Sequence, residues 1–250
     1  MKKIFWTIVP LIMISLFIIR RTLDLRQRSP LGYEKIKIKR GKTVPPKKDP
    51  LKIYKTKRNF SKTPEPKPII ASQDKEQKIF TIQEHHASHI HWDFRLEIEG
   101  VMPSWAIPKG PSLNPKEKRL AIQTEDHPVS YATFEGIIPE GYGAGTVMVW
   151  DYGTYQNIRE KDDKLIPMNK CLKEGRIEIA LHGKKLKGVY ILVRFKDEEK
   201  NWLFFKKNDE YADARRNIIK SANKSVLTNR TIKQIQENKS DKNKPYKEYS

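Results

Sequence analysis

Residues 83–97 read QEHHASHIHWDFRLE, a stretch that holds four of the chain's six histidines together with an aspartate and an arginine. From His89 onward the residues alternate. Ile90, Trp92, Phe94, Leu96 and Ile98 fall on one side of an extended chain, and His89, His91, Asp93, Arg95, Glu97 and Glu99 fall on the other. Successive side chains of a β-strand point to opposite faces. The period of two therefore predicts a strand that buries its apolar residues and aims His91, Asp93 and Arg95 together at the opposite surface. An imidazole and a carboxylate two residues apart can converge on one cation, and His85, just before the strand, supplies a third ligand. Two neutral imidazoles and one carboxylate leave coordination positions open, as a catalytic rather than a structural metal requires. The mixed nitrogen and oxygen set suits Mn2+, Fe2+ or Zn2+.

Outward from this stretch, strand signals dominate. KRLAIQTED, GTVMVWDYGTYQ, GRIEIALHG, KLKGVYILVRF and NWLFFKK all read as strands, with a hairpin connection over 181–188. Many short strands punctuated by glycine and proline, without a βαβ rhythm, predict a mainly β barrel or sandwich with few helices. The folded unit is expected over 54–210. Residues 22–53 are basic and proline-punctuated and read as a linker, and 211–250 are rich in lysine and asparagine and read as a disordered basic tail.

Across 250 residues the apolar fraction is 37% and the formal net charge is +20, and the mean hydropathy is −0.72. Those values imply one compact domain with polar extensions, and a field that attracts phosphate-bearing partners or anionic lipid. Cys171 is the single cysteine, which excludes an intramolecular disulfide scaffold and a cysteine zinc finger. The first residues, MKKIFWTIVPLIMISLFIIRR, carry an apolar run over 4–19 that ends in two arginines. We read residues 1–21 as an uncleaved membrane anchor, with the arginines after it placing the catalytic portion in the cytoplasm.

Further basic and aromatic groups lie downstream. EDHPVSYATFEG presents His127 and Tyr131, PSWAIPKGPS presents Lys109, and PKEKRL presents Arg119. PEGYGAGTV reads as a tight turn, because it lacks the Lys-Ser/Thr of a phosphate loop and a following helix. Two functional classes fit these residues. One is a metal-assisted phosphoesterase in which Arg95, Lys109, Arg119 and His127 offset phosphoryl charge. The other is a non-haem iron oxygenase whose facial triad is His91, Asp93 and His127, although no cation follows His127 until Arg159 to hold a co-substrate carboxylate.

The run from Phe80 to Tyr155 (FTIQEHHASHIHWDFRLEIEG through GTVMVWDYGTY) closely resembles the 3′-phosphoesterase domain of bacterial DNA ligase D, over roughly residues 54–207. The resemblance implies a small β-barrel with a Mn2+-dependent activity, Zn2+ or another divalent ion being the alternative. That activity removes a 3′-terminal ribonucleotide and then the 3′-phosphate from nucleic acid ends. It implies metal ligands at His85, His91 and Asp93, phosphate and transition-state contacts at Arg95 and His127, and supporting positions at Gln83, Lys109, Arg119 and Tyr131. RNFSKTPEP resembles the family's N-terminal arm, whose arginine and glutamate become Arg58 and Glu65. This chain has Asn59 where the family usually has aspartate, and its glycine turn is one residue shorter than the common form. The ligase and polymerase of the large enzymes are expected as separate partners, and a noncatalytic nucleic-acid-binding barrel is the alternative function.

Overall fold

The computed structural model describes residues 49–74, 76–195 and 198–237. The hydrophobic segment 1–21, most of the linker (22–48) and residues 238–250 lie outside the described residues. No helix among the described residues is long and apolar enough to cross a membrane.

The strands are β1 (Lys78–His86), β2 (Ile90–Leu96), β3 (Val101–Met102), β4 (Ser104–Ile107), β5 (Arg119–Gln123), β6 (His127–Pro128), β7 (Gly136–Ile138), β8 (Gly145–Asn157), β9 (Glu160–Lys161), β10 (Lys164–Leu165), β11 (Arg176–Gly183), β12 (Lys187–Arg194) and β13 (Asn201–Lys206). Short helices α1 (Lys52–Thr56), α2 (Met168–Glu174), α3 (Ile218–Ser221) and α4 (Ile232–Glu237) and a 3-10 turn (Val129–Thr133) complete the domain. The order β1-β2-β4-β5-β13-β12-β11-β8 closes through a β1–β8 pairing, and β7 extends the free edge of β8. The result is an eight-stranded barrel, and full closure removes the exposed strand edges that an open sheet would present.

An eight-stranded barrel is just wide enough for side chains to fill. Here the filling is aromatic. Phe80, Phe94, Trp105, Trp150, Trp202 and Phe204 are all fully buried, with Phe94 and Phe204 ring centroids 4.9 Å apart and Trp105 edge-on to Trp202. The alternation in β2 is realised for Trp92, Phe94 and Leu96, which lie in this core. Ile90 departs from it. As the first residue of β2 it sits at the barrel mouth and is half exposed.

A second apolar cluster is built on the outside of the barrel wall. Leu51 and Tyr54 of α1 pack with Val101, Tyr131, Phe134, Ile138 and Val147. This layer roofs the outer faces of β1 and β2, so side chains that point away from the core are nevertheless buried.

Beside a bulge in β8 the C-terminal segment is locked onto the barrel. The register with β1 jumps from Ile82↔Asp151 to Gln83↔Val149, leaving Trp150 as the extra residue, and the other edge of β8 at Val149 is taken up by a side chain and the C-terminal segment. The Val149 N–H donates to Glu135 Oε2 at 3.1 Å, and its carbonyl accepts from the Val226 N–H at 3.0 Å. Thr228 and Arg230 also hydrogen-bond Glu135. The chain beyond 210, expected as a disordered tail, is thus part of the domain as far as Glu237, and Ile218 and Ile235 are buried in the main core. The short pairs Ile218-Ile219 and Ile232-x-x-Ile235, set among polar residues, show too little periodicity to reveal this. Ile235→Ala is therefore expected to lower unfolding free energy by about 2–5 kcal/mol. An unchanged urea midpoint would show that the segment contributes nothing to the core.

Candidate active site

The register of β1 with β2 places His85 opposite His91 and Gln83 opposite Asp93. His85 precedes β2, as the sequence suggested, and is itself part of a strand, β1. The apolar alternation of β1 stops at Ile82, because the next inward position, Glu84, pairs with His86 at 2.8 Å. His85 Nδ1 lies 3.7 Å from Asp93 Oδ2, and His91 Nε2 lies 3.6 Å from Asp93 Oδ1. These separations are too long for hydrogen bonds and short enough for one cation to be shared. One ligand atom from each of the three residues falls within 4.8 Å of the others, and among the described residues this is the group able to hold a metal.

The protonation pattern suits that role. The His85 Nε2–H donates to the Gly143 carbonyl at 3.0 Å, leaving Nδ1 free toward Asp93. The His91 Nδ1–H donates to the His89 carbonyl at 2.9 Å, leaving Nε2 free. Backbone acceptors of this kind fix the tautomer and ring orientation of metal-ligating histidines. Burial works to raise the Asp93 pKa, but the adjacent Arg95 guanidinium outweighs that and holds the carboxyl well below the usual carboxylate range. The residues present fit a divalent cation.

Arg95 joins this centre to a second group. Its guanidinium donates from Nη2 to Asp93 Oδ2 at 2.8 Å, from Nε to Gln83 Oε1 at 2.7 Å and from Nη1 to Ser104 Oγ at 2.9 Å. Gln83 is held in turn, its amide donating to the carbonyls of Tyr131 (3.0 Å) and Phe134 (2.8 Å). Nη1 also lies 2.9 Å from His127 Nδ1, while Arg58 Nη2 lies 3.2 Å from His127 Nε2. Burial first, and then the charges of Arg95 and Arg58, push the His127 pKa well below its ordinary value, so the ring is neutral. A neutral imidazole has one acceptor nitrogen. One of the two guanidinium N–H groups aimed at it is thus left without a full partner.

The arm closes the other side. Arg58 Nε donates to Glu65 Oε1 at 2.8 Å, Arg58 Nη1 donates to Glu125 Oε1 at 3.1 Å, and the guanidinium stacks 3.9 Å from the Tyr54 ring centroid. Tyr131 OH donates to Glu65 Oε1 at 3.0 Å. Asn59 is exposed, and its side-chain oxygen accepts from Ser61 N and Ser61 Oγ, a turn contact an aspartate oxygen would equally make.

The structure therefore brings together His85, His91, Asp93, Arg95, His127, Gln83, Tyr131, Arg58 and Glu65. Lys109 and Arg119 stand apart. Lys109 is exposed in the turn after β4, and Arg119, opposite Phe204 in the register of β5 with β13, pairs with Glu117. His127 is not in the metal cluster and has a guanidinium at each nitrogen, which removes the facial triad of an iron oxygenase. Glu125, Tyr54, Ser104 and Gly143 escaped the sequence reading. Glu125 alone had a signal there, since Glu125-x-His127 alternates like His91-x-Asp93. The glycine turn does more than reverse the chain, because its Gly143 carbonyl orients His85.

Comparison with known proteins shows that this barrel is similar to a phosphoesterase domain. The DNA Ligase D 3'-phosphoesterase domain model matches residues 83–194. The multifunctional non-homologous end joining protein LigD of Pseudomonas aeruginosa is 42% identical over 193 residues, covering 75% of this chain and 22% of that protein. The multifunctional non-homologous end joining DNA repair protein LigD of Mycobacterium tuberculosis is 47% identical over 150 residues, 60% of this chain and 19% of that protein. The LigD of Mycolicibacterium smegmatis is 42% identical over 163 residues, 65% of this chain and 21% of that protein. The chain thus spans about a fifth of the length of these curated relatives. Its matched region belongs to the DNA ligase D 3′-phosphoesterase domain family.

Asp126, between Glu125 and His127, is pushed up to about 6 by burial and by the Glu125 carboxylate. A native pKa above the unfolded value of about 3.9 means that folding favours the protonated form. The stabilisation is full below about pH 4 and is lost as pH rises through 6. Asp126→Asn is expected to gain stability relative to the parent chain between pH 4 and pH 7.5 in urea titrations. A difference that does not change with pH would contradict this.

Proposed function

We propose that this chain is a metal-dependent 3′-end-healing phosphoesterase that removes a 3′-phosphate, and a 3′-terminal ribonucleotide, from nucleic acid ends before they are extended or joined. The observation that carries the reading is the position of Arg95. One buried guanidinium contacts the metal ligand Asp93 and lies against His127, so a phosphate seated between them would meet the metal centre on one side and Arg58 and His127 on the other. The guanidinium N–H left over at His127 is a donor that an anionic oxygen would satisfy. His85 Nδ1, His91 Nε2 and an Asp93 oxygen would hold Mn2+, or Zn2+ or another divalent ion. A cation there supplies positive charge against phosphoryl oxygens as negative charge develops on them. Arg95 and Arg58 do the same from fixed, preorganised positions, and their burial strengthens the effect. We assign Lys109 and Arg119, which stand outside this pocket, to contacts with the nucleic acid backbone.

The names of the relatives associate them with non-homologous end joining. We carry that role in DNA repair to this chain as part of the proposal, with the ligase and polymerase supplied by separate proteins. We further propose that residues 4–19 anchor a cytoplasmic catalytic domain to the membrane, a reading supported by the apolar run and the arginines that follow it.

The test uses the full chain and a labelled primer-template ending in a 3′-phosphate, with Mn2+, Mg2+, Zn2+ or chelator. Conversion to a 3′-hydroxyl is expected with Mn2+ and not with chelator. Asp93→Ala, with its circular dichroism unchanged, should lose more than about 100-fold, the upper range of losses when mere outer-shell groups are removed. Full turnover in Asp93→Ala would overturn the assignment. Binding without turnover under every metal would instead identify a noncatalytic nucleic-acid-binding barrel.

A further inference from the structure

The arm and the glycine-rich turn face each other across a groove of about 340 Å³ lined by Lys57, Arg58, Lys62, Glu65, Glu140 and Tyr142, among others. Its volume lies in the range of small-ligand pockets. At its inner end is Arg58, whose Nη2 faces His127. Across it, Lys62 of the arm and Glu140 of the turn form an exposed ion pair at 2.9 Å.

Tyr142 is the unusual member. It is a large aromatic residue that remains 49% exposed, yet it is firmly placed. The Lys57 ammonium sits 3.8 Å from the ring centroid, and the hydroxyl donates to Glu125 Oε2 at 3.3 Å. Gly141 and Gly143 on either side both have positive φ, +87° and +79°. A Cβ at either glycine would meet no atom within 4 Å, so what these positions demand is the left-handed backbone that sets the direction of the tyrosine between them. Glu125, which receives the hydroxyl, also holds Arg58. The exposed ring is therefore coupled to the proposed phosphate pocket through a single carboxylate.

We propose that this groove is a subsite for the 3′-terminal nucleoside of the substrate, with the Tyr142 ring as the platform on which its base stacks. The inference rests on the end-healing reading above, since it needs a phosphate seated at Arg58 and His127. A nucleobase offers a π-face whatever its identity, and an exposed aromatic beside cations is the arrangement by which proteins hold single-stranded nucleotides without reading sequence. Lys57 and Lys62 provide those cations. The subsite would let the protein grip the last nucleoside of any end while the metal centre meets its phosphate.

The test places 2-aminopurine as the 3′-terminal base of a primer-template and follows its fluorescence on titration with the full chain in the presence of chelator, so that no turnover is needed. Quenching is expected in the parent protein, in Tyr142→Phe and in Tyr142→Trp. In Tyr142→Ala quenching should be lost and the dissociation constant should rise about tenfold or more, the scale of one lost base–aromatic stack. The same probe moved three nucleotides inward should not respond to any substitution. Quenching and affinity preserved in Tyr142→Ala, or no quenching in the parent chain, would overturn the subsite. Loss of hydrolysis with the quenching pattern intact would count against the end-healing activity and leave the subsite standing.

Discussion

A single buried guanidinium organises the site. Arg95 projects from the outer wall of the barrel and is 3% exposed. A cation removed from water must have its donors satisfied and its charge answered. The answers come from Asp93 on the same strand, Gln83 on β1 and Ser104 on β4, while His127 on β6 lies 2.9 Å from Nη1. Gln83, Ser104 and His127 are each fixed by a second contact. Gln83 is held by two carbonyls of the 3-10 turn region, Ser104 donates to the Met102 carbonyl, and His127 Nδ1 lies 2.9 Å from the Glu125 carbonyl oxygen. Displacing any one of them would leave a charge underpaired in a low-dielectric surround, which is how one side chain can dictate the register of so many.

The low dielectric is itself built, and on the unusual side of the barrel. The interior is filled by aromatic side chains and leaves no room for chemistry, so the reactive groups stand on the outer face. The arm and the 3-10 turn then cover that face, adding Leu51, Tyr54, Tyr131 and Phe134 as a second apolar layer. The arm does two things at once. Tyr54 supplies the apolar cover, and four residues later Arg58 supplies charge over the same ring. Arg58 lies just past the end of α1, and its guanidinium folds back over the Tyr54 ring and donates to the Tyr54 carbonyl at 3.4 Å.

How far these features could be read from residues alone follows from their range. The alternation over 89–97 is local, and it announces both the core face of β2 and the convergence of His91, Asp93 and Arg95. The strands β5, β8, β11, β12 and β13 carry equally local signals. The barrel's closure between β1 and β8, the bulge at Trp150 and the Glu135 link to Thr228 and Arg230 are long-range pairings that leave no periodic trace. The placement of Ile218 and Ile235 in the core is hidden for the same reason, because their neighbours are lysines and asparagines that argue for a solvated tail. Resemblance to a known family reached further for the site than periodicity did. It joined Arg58 and Glu65 to His127, which the fold realises through the 2.8 Å ion pair and the 3.2 Å contact described above. It said nothing of Glu125, the carboxylate that ties Lys57, Arg58 and Tyr142 together.

The central claim is that His85 and His91 present opposite ring nitrogens, Nδ1 and Nε2, to one cation shared with Asp93. Electron spin-echo envelope modulation of the full chain loaded with one equivalent of Mn2+ tests it most directly, since the modulation reports nitrogen bound to the ion. Two imidazole nitrogens are expected in the parent protein, and one in each of His85→Ala and His91→Ala. A Mn2+ signal without nitrogen coupling, or one unchanged by both substitutions, would contradict the account.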